Sequence, residues 1–380
     1  MSSGRMLYRL VEEYSALGEH RTGTDVDRAT VDWFSAQLEA LGAEVERHPY
    51  EFDRYACDWE VTADGDPVES LPLFYEGVGD IDTDAPAVTA SRVIAGTVVP
   101  DFEALSDVLR DEAEVALIAT KVAGGFLCAP NRQVHEPVGM PAICVAGREI
   151  DRLQQASLRV RLAARIEKGR SANVRGTLGE GPPSSAVLLT TPLSGWFRCA
   201  GERGTGIAVC LAVAKALAES HRVTVLGCNS HELMGLGAHH YLATTPPDEA
   251  AIFHFGASVA SGDADGINPP SRRSRQVRAT AWAGGSHREA LGEALSPLGV
   301  EVRLPDDEAA RRADSWLGEA SVWAPLGRPL VSIAGGFPLH HVPLDLPPLA
   351  TNEQLLEESF AAASAAARVL GAVAAEGPPK

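Results

Sequence analysis

The sequence predicts an α/β protein: a three-layer α/β/α domain around a mostly parallel mixed sheet, carrying a smaller strand-rich insertion. Three observations predict it. Apolar runs of strand length alternate with helical stretches through the second half of the chain. Several of these runs, such as Ala186-Val-Leu-Leu-Thr-Thr, are apolar without alternation, as in a strand covered on both faces. Between residues 56 and 165 the pattern changes to short β-like runs separated by Gly, Pro and Asp.

Taken in order, Leu7 to Leu41 reads as two helices. Leu7, Leu10, Val11 and Tyr14 keep helical spacing, and His20-Arg-Thr-Gly-Thr-Asp breaks the pattern with capping residues. Val31, Phe34, Leu38 and Leu41 share one face of the second helix, which Gly42 ends. Residues 44–52 alternate like a strand with one exposed face. In the insertion, Val88 to Val99, Val115 to Thr120 and Ala142 to Ala146 are strand candidates, and Phe102 to Arg110 is a short helix candidate. After Ser171 come a strand at 186–191, a helix at Gly206 to Glu219, and strands at 222–228, 250–255 and 330–333. A C-terminal Ala-rich helix closes the chain from Asn352 to Ala374. The division is therefore 1–55 with 166–380 as one α/β domain, and 56–165 as the inserted module. In an open α/β sheet the site lies beyond the carboxyl ends of the strands, which is where the polar clusters of this sequence fall.

Composition narrows the function classes. A length of 380 residues with 45% apolar content suits two compact units, or one large domain with an insertion. The net charge of −18 argues against a nucleic-acid surface. There is no apolar run of membrane-spanning length, and the N-terminal residues Met1 to Tyr8 lack the apolar stretch of a secretory signal, which predicts a cytoplasmic location. The six cysteines form no CxxC pair and read as free, mostly buried thiols.

Five segments then carry a resemblance: His20-Arg-Thr-Gly-Thr, Ala172-Asn-Val-Arg-Gly-Thr-Leu, Gly201-Glu-Arg-Gly-Thr-Gly-Ile-Ala, the stretch from Ser230-His-Glu to Tyr241-Leu, and His341-Val-Pro-Leu-Asp. Their order is similar to that of the bacterial leucyl aminopeptidase family of two-zinc exopeptidases, whose fold glutamate carboxypeptidase and the glutaminyl cyclases share. The resemblance implies a zinc-peptidase-like domain, with residues 56–165 like that family's protease-associated domain. It also implies two zinc ions held by two His and three carboxylates, one of them bridging, and a further Glu as general base. Two cations together polarise a scissile carbonyl and acidify bound water.

Carried over residue by residue, that site is damaged. The family's strand-end His-x-Asp falls on Thr191-Pro192-Leu193, its bridging Asp on Glu202, and its paired Glu-Glu on His231-Glu232. Its next Asp ligand falls on Gly256 and its last His on His341. Thr191 and Gly256 stand where only one of the ions is held, so the resemblance implies that this ion has lost its private ligands. Glu202, Glu232 and His341 stand where the other is held. The cofactor expectation is therefore none, or a single zinc on those three residues.

The candidate acid–base residues are His231 and Glu232. Glu232 can equally orient an imidazole, bind an amine, or sit at a helix N-terminus for the macrodipole. Thr191, Ser194, Arg198, Glu202, Arg203, His254, His340 and His341 are candidate ligand contacts. Plainer readings stand beside these: His254 as a satisfied core histidine, Arg198 and Arg203 as solvated loop arginines, and Asp345 as a structural part of its loop. His239 and His240 read as one packed and one solvated. Ser194, Cys199 and Cys228 would need a base and an oxyanion hole to be nucleophiles, and no GxSxG elbow exists. The basic run from Ser271 to Arg278 reads as a solvated loop, or as a dock for an acidic partner.

The expected function is an aminopeptidase homologue that has lost two-zinc hydrolysis. Its cleft would be repurposed for a small amine- or carboxylate-bearing or peptide-like molecule, for example in specialised-metabolite biosynthesis. The alternatives are a one-zinc aminopeptidase with His231 as base, and a non-catalytic structural or regulatory subunit with a protein partner.

Overall fold

The computed structural model describes residues 2–94, 97–99, 113–131, 140–284 and 287–376. Helix α1 (Ser3–Ala16) starts at Ser2, whose hydroxyl accepts the Arg5 N–H. Helix α2 (Asp25–Ala40) starts at Thr24, which caps Asp27 N–H, and its first turn holds Asp25 and Asp27, favoured there by the macrodipole. Gly42 then turns the chain at φ 85°.

Among the described residues, ten strands make the principal sheet and five make a second. In chain order they are β1 (Glu44–Ala63), β2 (Asp66–Pro67), β3 (Ser70–Pro72), β4 (Gly79–Thr83), β5 (Ala87–Ile94), β6 (Thr97–Val99), β7 (Ala116–Lys121), β8 (Ala142–Ala146) and β9 (Leu158–Leu178). The α/β alternation follows: β10 (Val187–Pro192), α3 (Thr205–Leu217), β11 (Val223–Cys228), α4 (Leu236–Thr244), β12 (Ala251–Phe255) and β13 (Arg278–Trp282). The chain ends with α5 (Arg288–Leu295), β14 (Glu301–Arg303), β15 (Leu330–Ala334) and the long α6 (Glu353–Glu376).

The principal sheet runs β14-β13-β15-β12-β10-β11-β9-β1-β2, with β4 also paired to β9. Its centre, β15-β12-β10-β11, is parallel, and both flanks join it antiparallel. Side chains alternate across the sheet, and the two faces bury different partners. Val187, Leu189, Val225, Phe253, Phe255 and Val331 pack with α1, α2, α3, α5 and α6. Leu188, Leu226, Ile252 and Leu330 pack instead with Ala238 and Tyr241 of α4 and with Trp316 and Trp323. This is the three-layer arrangement that continuous apolar runs require. No helix among the described residues is long and apolar enough to cross a membrane. All six cysteines are free, and five are buried.

Two strands differ from the sequence expectation. Strand β1 continues to Ala63, well past Phe52, and the sequence analysis placed no strand at β9, which is 21 residues long. They form one antiparallel ladder from Glu44 opposite Thr177 to Ala63 opposite Leu158. The ladder runs unbroken through the composition change, pairing Tyr55 with Ile166 and Ala56 with Arg165. Its outward positions are charged, so it lacks the apolar run of a buried strand. Cross-strand pairs such as Lys168–Asp53 (2.7 Å), Arg170–Glu51 (2.9 Å) and Arg161–Glu60 (3.2 Å) line it instead. Beyond the ladder's far half lies the second sheet, β3-β8-β7-β5-β6, over its own apolar cluster. The helix expected at Phe102–Arg110 falls outside the described residues.

Leu189 lies fully buried in the middle of β10, between α3 and the sheet. Leu189→Ala should destabilise the fold by about 2–5 kcal/mol, read from the urea midpoint.

Candidate functional site

The loops after β10, β11, β12 and β15 meet at the carboxyl edge of the parallel strands. Their backbones are sharply bent. Phe197, Cys199, Ser230, Met234, Ser258 and His341 all have φ between 41° and 65°, a left-handed conformation that costs a non-glycine residue about 1 kcal/mol or more.

Glu202 and Arg203 sit on a π-helical turn, Ala200–Gly204, that leads into α3. Asp345 seats this turn: its carboxylate accepts the N–H of Gly201 at 2.5 Å and of Glu202 at 3.0 Å. Burial pushes the Asp345 carboxyl up to about 8 against these two N–H donors. Asp345 is thus a structural part of the site, as its loop position suggested. Both charged groups of the turn are buried and paired with each other, with Arg203 Nη2 2.7 Å from Glu202 Oε1. The same oxygen faces His341 Nε2 at 3.0 Å, while His341 Nδ1 meets the Ala129 carbonyl at 2.7 Å. Arg203 Nε donates to the Ser194 carbonyl at 2.8 Å. Burial alone would raise Glu202, but Arg203 and His341 overcome it and hold the carboxyl well below the ordinary carboxylate range.

Glu232 belongs to a different part of the site from the one its alignment implied. Its Oε1 accepts the Thr22 N–H and its Oε2 the Ser194 hydroxyl, both at 2.7 Å. It lines a narrow recess with Arg21, Tyr75 and Trp196. The resembling segment at His20 explains itself here: His20 is stacked on Tyr14 and bonded to Thr30, which fixes the loop that presents Thr22 to Glu232. Among the described residues, the ligand atoms that cluster belong to Glu202, His340 and His341, within 4.8 Å of one another, so His340 stands in the group where Glu232 was expected.

His231 is paired with a residue that the sequence reading missed. Its Nδ1 lies 3.2 Å from Glu319 Oε2, 88 residues away, and the Glu319 side chain is wholly buried. Burial pushes Glu319 up to about 8, opposed by Arg203. Burial, then Arg203, pushes His231 well below an ordinary histidine. No motif marks Glu319; it follows Gly318 in an irregular stretch that only the tertiary fold brings to β11.

The open part of the site is a cleft of about 640 Å³ lined by His231, Glu319, His340, Asn131, Gln276, Arg275 and the strand-end residues Ala257 and Ala334, among others. Of the sequence candidates, His231 and His340 line it. Thr191, Ser194, Glu202, Arg203, His254 and His341 are buried and do not. Arg198 is exposed and is not among the residues that line the cleft. Arg203 is not a solvated loop residue. His254 is a half-satisfied core histidine: Nδ1 bonds Thr190 at 2.9 Å, Nε2 has no partner, and burial with Arg203 lowers it to about 3. His239 is exposed at the rim of the cleft, and His240 packs against Tyr50.

The basic run also resolves differently from a solvated loop. Arg272 pairs with Asp263, and Arg278 with Glu301. Arg273 is buried and donates to the Val259 and Leu355 carbonyls and the Ser359 hydroxyl. Arg275 is exposed and lines the cleft. The run is mostly internal bracing, with Arg275 at the mouth.

No family model and no curated protein matches the chain. Among solved structures it is similar to BSAP, a zinc aminopeptidase from Bacillus subtilis, at 14% identity over 96% of this chain and 94% of that one, with a TM-score of 0.71. It is similar to a Peptidase M28 precursor from Shewanella amazonensis SB2B at 16% identity, over 96% and 92% of the two chains, TM-score 0.69. The aminopeptidase from Aneurinibacillus sp. strain AM-1 matches at 16% identity, over 96% and 93%, TM-score 0.62. The chain therefore has the fold of the bacterial zinc aminopeptidases, a mixed α/β architecture with a large central sheet.

That fold family implies zinc, and the residues can be tested for fit. A side chain at Gly256 would place its Cβ 2.7 Å from Ala334 Cβ and 3.0 Å from His254 Nε2, so no carboxylate fits there without displacing them. Thr191 offers a buried hydroxyl in place of an imidazole. Glu202, His340 and His341 have the right chemistry for one ion. However, the Arg203 guanidinium already neutralises Glu202, and a divalent cation beside it would be repelled in a buried, low-dielectric place. The donor set as arranged does not fit a metal.

Removing one member of a buried ion pair leaves the other charge uncompensated. Arg203→Met should cost about 3–5 kcal/mol, and the double change Glu202→Gln with Arg203→Met should recover most of it. The sign with pH follows from the lowered Glu202. Its contribution is complete above the ordinary carboxylate range and is lost as pH falls from about 5. Urea melts of the three proteins at pH 7 and pH 4 should show the double variant losing less on acidification.

Proposed function

We propose that the chain is an aminopeptidase-fold protein whose cleft has been repurposed as a metal-independent site for a small molecule bearing a carboxylate or an amine. Two-zinc peptide hydrolysis is lost. The observation that carries this reading is the Arg203 guanidinium, buried on Glu202 among the residues that align with the family's metal ligands. The closed position at Gly256 supports it. Arg275 at the mouth favours a carboxylate in an otherwise acidic protein. Biosynthesis of a specialised metabolite in the cytoplasm is a setting that suits such a scaffold. On the same reading, residues 56–165 are an inserted module like the family's protease-associated domain.

A second reading, one zinc on Glu202, His340 and His341, is favoured by one observation. His341 has its Nδ1 fixed by a backbone carbonyl, as metal-bound histidines commonly do. It requires Arg203 to leave Glu202. The two readings separate on metal content after expression with added zinc. The first expects no stoichiometric zinc in the wild type, no chelator-sensitive release of amine from aminoacyl anilides, and about one zinc in Arg203→Met, where the donors are freed. One firmly bound zinc in the wild type with chelator-sensitive anilide cleavage supports the second reading, and two zinc ions per chain sink the first.

A further inference from the structure

We infer that His231 and Glu319 form a proton-transfer dyad in the cleft, in which His231 exchanges a proton with the bound molecule and Glu319 positions it. The inference deepens the metal-independent reading and rests on it.

The geometry is specific. His231 stands on a single helical turn, His231–Leu233, held between two left-handed residues, Ser230 and Met234. Its backbone N–H donates to the Ser194 hydroxyl at 3.0 Å, which fixes the turn from below. Glu319 arrives from a separate segment and meets Nδ1 at 3.2 Å. With Nδ1 committed, Nε2 is the ring nitrogen left for the cleft, and the side chain is 16% exposed there. Both residues line the cleft. The Glu319 carboxyl is also bonded by the buried Cys228 thiol, which helps hold it against the imidazole. Carboxylate and imidazole held this way make an oriented base whose cationic form has a matched counter-charge.

The cleft also indicates what is acted on. Trp196 Nε1 donates to Asn131 Oδ1 at 2.7 Å, so the amide nitrogen of Asn131 is the donor end left for the cleft. Arg275 supplies a cation at the mouth. The class that fits is a small carboxylate-bearing carbonyl compound, its carboxylate at Arg275 and its carbonyl oxygen against Asn131. In the step, a proton leaves an atom next to the carbonyl for His231 Nε2, and its electron pair stays on the substrate as an enolate. The imidazolium is balanced through Nδ1–H by the Glu319 carboxylate. The reverse transfer restores the histidine, and no metal, oxidant or reductant takes part.

The charged and titratable groups around the dyad are Arg203, Glu202, His254 and His341 near His231, and Arg203 and Cys228 near Glu319. The test uses the full chain after chelation, with histidine-ring nitrogen NMR and His231→Gln to assign the signal. The wild-type ring should show Nδ1 sharing a proton with the carboxyl, seen as a displaced Nδ1 shift. That displacement should vanish in Glu319→Gln and return in Glu319→Asp. Acylation of His231 by diethyl pyrocarbonate, read by peptide mass spectrometry, should slow about tenfold in Glu319→Gln, the size of a one-unit change in basicity. Unchanged ring-nitrogen shifts in Glu319→Gln overturn the dyad. So does a wild-type ring with no displaced Nδ1, an outcome that needs no variant to fold. Zinc content is measured on each protein before chelation. Bound zinc with the coupling intact defeats the metal-independent reading while leaving the pairing, and zinc-free protein without coupling defeats the dyad alone.

Discussion

A guanidinium buried against a carboxylate, Arg203 on Glu202, is the interaction around which the rest of the site is arranged. Neither charge is tolerable alone in a place with almost no solvent, and each is held by a chain of further bonds. Asp345 fixes the turn that carries both residues. Arg203 fixes the Ser194 carbonyl, and the Ser194 hydroxyl then joins Glu232 to the His231 backbone. His341 completes the set from the loop after the last central strand. Through these contacts one ion pair ties together three loops that belong to different strands.

The network is not closed, which distinguishes it from a purely structural ion pair. Glu202 Oε2, Arg203 Nη1, Thr191 Oγ1, His254 Nε2 and His340 Nδ1 are buried without hydrogen-bond partners. Groups in that state cost stability in an ordinary core. They persist here beside a cluster of left-handed loop residues that also cost energy. Unsatisfied polarity and backbone strain at the same strand ends mark a place where stability has been given up, as at sites built for binding or chemistry.

Much of this was legible in the residues. Continuous apolar runs located the central strands to within a residue or two, because a strand buried on both faces cannot carry charge. Glu202 and His341 stood out by their order in a familiar series of loops, and the structure brings them within hydrogen-bonding distance. Other features were not legible, for physical reasons. Whether Arg203 is solvated or buried depends on loops that arrive from residues 129 and 341, and a local motif does not encode them. Glu319 reaches His231 across 88 residues of chain. Arg273 looked like part of a solvated basic stretch because its burial comes from α6, with partners 82 and 86 residues later. Strand β9 was missed because its outward face is arginine and glutamate, which stabilise a ladder by cross-strand pairing rather than by burial.

The ladder of β1 and β9 has a mechanical meaning. A module joined to its host by two flexible linkers can swing as a rigid body, opening and shutting the space beneath it. Here the second sheet is carried on a continuous two-stranded beam that is already woven into the principal sheet at β11. Such a beam bends and twists but does not pivot, since a pivot would break many backbone hydrogen bonds at once. Asn131, which the inserted segment contributes to the cleft lining, is then carried there on a beam and not on a hinge.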